Sequence, residues 1–161
     1  LQKLGYNYDA SNVVVAGATR AFSEEFMRYV RLDEDAIYVL QKLRRKYKLG
    51  VVSNFAIPEC AWELLEKSGL KGFFDVVLIS GEVNRRKPSP EIFEKALKAL
   101  DVDASKAVFV GDTPSFDVKG PKSVGIKAVL LKKRPVEKIM DVKPDKTINS
   151  LKELLDVLED C

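Results

Sequence analysis

Four side chains in this sequence, Ser53, Lys87, Asp112 and Asp117, have the types and settings needed to handle a phosphate and a hard cation. Gly111-Asp112-Thr113-Pro114-Ser115-Phe116-Asp117 puts two carboxylates on either side of a turn into a helix, close enough to share one cation. Magnesium wants oxygen ligands and usually takes only one or two protein carboxylates, leaving positions for a substrate phosphate. The other reading is structural: Asp112 ends a strand and Asp117 lies in a helix's first turn. Ser53-Asn54 follows the apolar run Gly50-Val51-Val52. A hydroxyl with backbone amides at a strand-to-helix turn makes an anion cradle, and the same two residue types are also common helix caps. Lys87 lies in Asn84-Arg85-Arg86-Lys87-Pro88-Ser89-Pro90, where two prolines can hold the backbone so that the ammonium points at a phosphate. Gly111 is read as the residue that lets the chain turn sharply out of its strand.

Hydrophobic periodicity describes the elements that must position these groups. Asp33 to Lys46 has helical spacing, with Ile37, Leu40 and Leu43 on its apolar face. Leu49–Ser53 is a short buried strand, and a helix starting near Pro58 carries Ala61, Leu64 and Leu65 and ends at Gly69. Asp75–Ser80 is a second strand. Ser89, Pro90 and Glu91 begin a helix as cap, first residue and dipole partner, with Phe93, Ala96, Leu97 and Leu100 inward. Ala107–Val110 runs as a strand into Gly111, and a short helix from Ser115 to Val124 stops at Gly125. Strands at Ala128–Leu131 and Thr147–Ile148 follow, then a helix with a Ser150/Glu153 capping box. Continuous apolar strands alternating with helices predict an α/β fold with a doubly wound parallel sheet covered on both faces. Ligands in such sheets bind beyond the carboxyl ends of the strands, where Ser53 and Asp112 stand.

Residues 1–32 break the alternation. Phe22, Phe26 and Val30 have helical spacing, whereas Val13-Val14-Val15 suits either helix or strand. The segment is read mainly as helix in a partial cap, with 33–161 as the α/β core.

Composition narrows the chemistry. The chain has 161 residues, 46% hydrophobic and 32% charged, and reads as one globular domain. Its 27 basic and 24 acidic side chains are interspersed, with a net charge of +3, so no tract points to nucleic acid or an anionic membrane. No signal peptide or transmembrane run is present, and Cys60 and Cys161 form no disulfide framework, so a cytoplasmic location is expected. There is no histidine, which rules out a Ser-His-Asp triad or an imidazole-ligated zinc site within this chain. Cys60 opens a helical run rather than an anion-binding loop. Carboxylates, hydroxyls and lysines are left to do the chemistry.

Taken together, Val51-Val52-Ser53-Asn54, then Arg86-Lys87-Pro88-Ser89-Pro90-Glu91-Ile92-Phe93, then Val108-Phe109-Val110-Gly111-Asp112 with Asp117 and Gly120, resemble the second, third and fourth motifs of the haloacid dehalogenase (HAD) superfamily in order and spacing. Val124-Gly125-Ile126-Lys127-Ala128-Val129-Leu130 continues the similarity, which covers Asp33 to Leu158. The resemblance implies a Rossmann-like core and Mg2+-dependent hydrolysis of a small phosphorylated metabolite. It makes Ser53, Asn54 and Lys87 the phosphate-binding residues, with Ser53 and Lys87 catalytic, and Asp112 and Asp117 the metal ligands. A non-catalytic scaffold and a 2-haloacid dehalogenase are the alternatives. The acidic pair argues for phosphate chemistry over dehalogenation.

The family's first motif, an Asp-x-Asp-Gly-Thr-like segment after the first strand, has no counterpart here. Asp33-Glu34-Asp35 has the acids but not the strand. The expectation is that the chain begins inside the cap region, lacks the nucleophilic aspartate and is inactive alone. The missing strand would lie between Leu49–Ser53 and Ala107–Val110. An N-terminal fragment, a second copy or Val13–Ala16 could fill that place.

Overall fold

The computed structural model describes residues 13–133 and 142–159; Cys161 lies outside them. The chain divides into two compact units, Leu1–Leu32 and Asp33–Cys161. In the first, α1 spans Val13–Tyr29. Val13–Ala16 is therefore helical and does not serve as a substitute strand. The Phe22 and Phe26 rings, four residues apart on α1, stack with centroids 5.9 Å apart.

The second unit alternates as its periodicity predicts. Helix α2 spans Ala36–Leu43, β1 Gly50–Ser53, α3 Pro58–Lys67, β2 Val76–Ile79 and α4 Ser80–Val83. Then come α5 at Pro90–Leu100, β3 at Val108–Gly111, α6 at Lys119–Ser123, β4 at Lys127–Leu131, β5 at Lys146–Ile148 and α7 at Glu153–Glu159. Every strand pairing is parallel, with Ser53 opposite Ile79 and Gly111 opposite Leu130. Among the described residues the strands form two sheets, β1-β2 and β3-β4-β5, so β1 and β3 each pair on one side only.

The two sheets share their covering layers. Ile92, Phe93 and Ala96 of α5 pack with Leu78 of β2 and Ile126, and Val52 of β1 and Phe109 of β3 join them. Val39 and Leu43 of α2 and Leu154 of α7 pack with Val129 and Ile148, and Val108 and Val110 of β3 lie against that cluster. Successive side chains of β3 thus point to opposite layers, as strand geometry requires. Two aspartates tie the strand starts together. Asp75 accepts the Leu49 N–H at 2.8 Å and its own N–H returns to Leu49 O at 2.8 Å. Asp145 repeats this on Ala128, at 2.7 and 2.8 Å.

Several local expectations change. The buried face of α2 is Ala36, Val39 and Leu43; Ile37 is turned outward, 39% exposed. Ser89 stands at the N-cap of α5, but its hydroxyl bonds the Glu91 carboxylate instead of accepting a backbone N–H. The helix expected from Ser115 is two pieces: a wide π turn at Pro114–Val118, then α6. Gly69 and Gly125 do end their helices, with φ of 72° and 84°. Among the described residues, no helix is long and apolar enough to cross a membrane.

Candidate active site

The residues singled out by type come together at the carboxyl ends of β1 and β3. Lys87 lies in the loop between α4 and α5. Its Nζ donates to Asp117 Oδ1 at 2.7 Å, with side-chain exposures of only 13% for Lys87 and 6% for Asp117. The ammonium also lies 5.2 Å from the centroid of the Phe109 ring, and Phe109 is held edge-on by Phe93. A lysine placed this way is a fixed cation with three donors, one of which Asp117 takes.

Asp117 is set by the π turn. Its N–H bonds Thr113 O at 2.7 Å, which folds the carboxylate back over the strand exit. There Asp117 Oδ2 accepts the N–H groups of Thr113 at 2.9 Å and Asp112 at 3.2 Å. Both oxygens of Asp117 are therefore engaged, one by an ammonium and the other by two amides. Asp112 is half-buried and accepts the Thr113 hydroxyl at 3.2 Å. Gly111 matters here for space and not for its torsion, since the positive-φ glycines among the described residues are Gly69 and Gly125. The Asp117 side chain lies where a Cβ on residue 111 would stand.

On the opposite side, Asn54 directly follows β1. Its Nδ2 donates to Lys87 O at 2.9 Å, while Lys87 N–H donates to Asn54 Oδ1 at 2.8 Å. Asn54, Lys87, Asp117 and Asp112 thus form one hydrogen-bonded chain across the ends of the two sheets. Ser53 ends β1 beside Asn54 and is half-buried. Arg85 and Arg86 are exposed. Thr113 and Phe109 were not singled out by sequence reasoning. Phe109 shows there only as a strand residue, and Thr113 only as a residue of the Gly-Asp loop. Gly120, read only as part of a motif, allows close approach: a Cβ on it would meet the Phe93 ring at 2.5 Å and Pro88 Cα at 3.1 Å.

The donor set suits a cation only in part. Among the described residues no three acidic, histidine or cysteine side chains form a metal-binding group. Magnesium needs only one or two protein carboxylates when a phosphate is also present, so Asp112 fits as a contributor. Asp117 already accepts three hydrogen bonds, one on Oδ1 and two on Oδ2, which leaves it less acceptor capacity for a cation.

A parallel α/β core with a buried lysine–aspartate pair and a second carboxylate beyond its strand ends is a ligand-handling fold of the doubly wound class. Residues 1–131 match the family described as haloacid dehalogenase-like hydrolase, and the chain belongs to that family. It is 34% identical over 134 residues to a phosphoserine phosphatase of Thermus thermophilus, covering 83% of this chain and 53% of that protein. It is 34% identical over 158 residues to a glyceraldehyde 3-phosphate phosphatase of Methanopyrus kandleri, covering 94% of this chain and 67% of that protein. The crystal structure of a HAD phosphatase from Thermococcus onnurineus aligns with a TM-score of 0.75 at 36% identity, over 85% of this chain and 64% of that one. The chain thus spans about half to two thirds of the length of these relatives.

Proposed function

We propose that this chain carries the phosphate-holding part of a magnesium-dependent phosphatase acting on a small phosphorylated metabolite. The observation that carries the reading is the buried Lys87–Asp117 pair at the strand ends, bonded through backbone amides to the loop that bears Asp112. Lys87 neutralises charge on the transferring phosphoryl group, and the Ser53 hydroxyl donates to one of its oxygens. Asp112 would contribute to holding magnesium, which when bound would stabilise charge on the phosphate oxygens. In phosphoryl transfer, positioning and electrostatic stabilisation account for most of the catalysis, and these are the roles available to the residues present. The relatives named as phosphatases support the reaction class.

The attacking aspartate and its acid–base partner belong, in this reading, to an Asp-x-Asp segment outside residues 1–161. The one-sided pairing of β1 and β3 among the described residues supports that assignment. A parallel strand placed between them would bond to both and bring its carboxyl end between Ser53 and Asp112. Residues 1–32 then belong to a cap that contributes to substrate choice.

The test is hydrolysis of p-nitrophenyl phosphate with Mg2+, by this chain alone and by a form with an upstream Asp-x-Asp strand supplied. Turnover only in the second form is the expected result. Inactivity of both would favour a non-catalytic scaffold, and turnover by the isolated chain would show that the nucleophile lies within it.

A further inference from the structure

Asn54 has the composition of a phosphate ligand, yet both its carboxamide oxygen and its carboxamide nitrogen are engaged by the Lys87 main chain. The carboxamide oxygen accepts Lys87 N–H and the carboxamide nitrogen donates to Lys87 O, at 2.8 and 2.9 Å. This two-bond fork joins residues 33 apart in sequence and imitates a backbone pairing. We infer that Asn54 is a positioning residue: it fixes the main chain of Lys87 so that the ammonium meets Asp117 and the candidate phosphate position, and it does not itself bind the phosphate. The inference rests on the reading of Lys87 as the phosphate-binding cation.

Three further observations carry it. The loop after β1 is already docked on the segment after β2, where Phe55 O accepts Gly81 N–H and Ser80 Oγ–H, each at 3.1 Å. A Cβ on Gly81 would come within 2.8 Å of Ala56 O, so this docking is close. Asn54 extends the same docking to residue 87, six positions further along a loop that otherwise turns outward. That loop has Asn84 in the left-handed region at φ 50° and a turn in which Ser89 N–H bonds Arg86 O at 2.9 Å. Lys87 is thereby held at both ends, its main chain by Asn54 on the β1 side and its Nζ by Asp117 on the β3 side. A long side chain loses much rotational freedom when fixed, and a clamp at the Cα end reduces what the phosphate must order on binding.

The experiment uses this chain with Asn54→Ala, Asn54→Asp and Lys87→Met, and the double variant Asn54→Ala/Lys87→Met. Asn54 is exposed, so its variants leave the core packing intact. The first readout is reductive methylation of Lys87 followed by mass spectrometry, which needs no ligand. Asn54→Ala is expected to raise the Lys87 rate about tenfold, as two hydrogen bonds are lost. Asn54→Asp, which keeps an acceptor for Lys87 N–H, falls between wild type and Asn54→Ala. An unchanged Lys87 rate in Asn54→Ala overturns the inference.

The second readout is binding of inorganic phosphate with Mg2+, followed by calorimetry. A residue that acts through Lys87 adds nothing once Lys87 is gone, so the double variant should bind as Lys87→Met does. Additive losses would make Asn54 a direct ligand and overturn the inference. If wild type binds no phosphate, the proposed function of the site fails, while the methylation result still decides the role of Asn54.

Discussion

A Cβ on Gly111 would stand 2.4 Å from Cγ of Asp117, in space that the aspartate side chain already fills. The strand exit and the π turn that carries Asp117, six residues on, thus fit together only because residue 111 has no side chain. Gly111→Ala should push Asp117 off the Thr113 and Asp112 amides and loosen its hold on Lys87. A forced overpacking of this kind costs about 1–3 kcal/mol, so the midpoint of thermal unfolding should fall by several degrees. An unchanged midpoint would mean that the loop relaxes freely.

The Lys87–Asp117 pair should couple strongly. Both side chains are largely withdrawn from water, and removing one partner of a buried pair typically costs about 3–5 kcal/mol because the other is left charged. Lys87→Met is expected at the lower end, since Asp117 keeps its two amide donors. Asp117→Asn/Lys87→Met should be more stable than the sum of the single losses predicts, by about 1–3 kcal/mol in urea denaturation. Strict additivity would show that the two charges do not interact.

Phe93 is fully buried, packs edge-on against Phe109 and closes the space beside Gly120. Phe93→Ala should cost about 3–5 kcal/mol, because α5 covers both sheets through this ring. Gly120→Ala alone should destabilise through its clash with the ring, and Phe93→Leu should partly relieve that loss. Failure of the smaller residue to help would place the strain on the Pro88 backbone instead.

Acidification should weaken the fold through the aspartates at its strand starts. The Arg44 guanidinium and the Leu49 N–H hold Asp75 below its usual 3.8, and Lys122 with the Ala128 N–H does the same for Asp145. A carboxylate with a lowered folded pKa contributes stability that is complete above its unfolded value and is lost as pH falls through the folded one. Thermal stability should therefore decline below about pH 4. Asp75→Asn and Asp145→Asn should be less stable at neutral pH and lose less on acidification. Equal acid sensitivity in the variants would assign the decline to other carboxylates.

The sequence by itself determined the order of most helices and strands, their parallel α/β class and which residues are candidates for a site at the strand ends. These are local properties: a run such as Val76-Val77-Leu78-Ile79 must be buried as a strand, and Gly125 stops a helix wherever that helix packs. Periodicity was less exact about faces, as α2 shows by burying Val39 while Ile37 faces outward. It also missed α4, because Ser80–Val83 is a single turn whose capping depends on the loop after β1. Tertiary structure alone decided how the site residues divide their work. Asn54, Lys87 and Asp117 are separated by 33 and 30 positions, and each looks like a ligand residue when read singly. Only when β1 and β3 are brought under the same helix does the carboxamide reach the Lys87 backbone and the carboxylate its ammonium. The hydrogen-bonding capacity that composition offers to a ligand is then partly used within the protein, and Lys87 is held as an oriented side chain between Asn54 and Asp117.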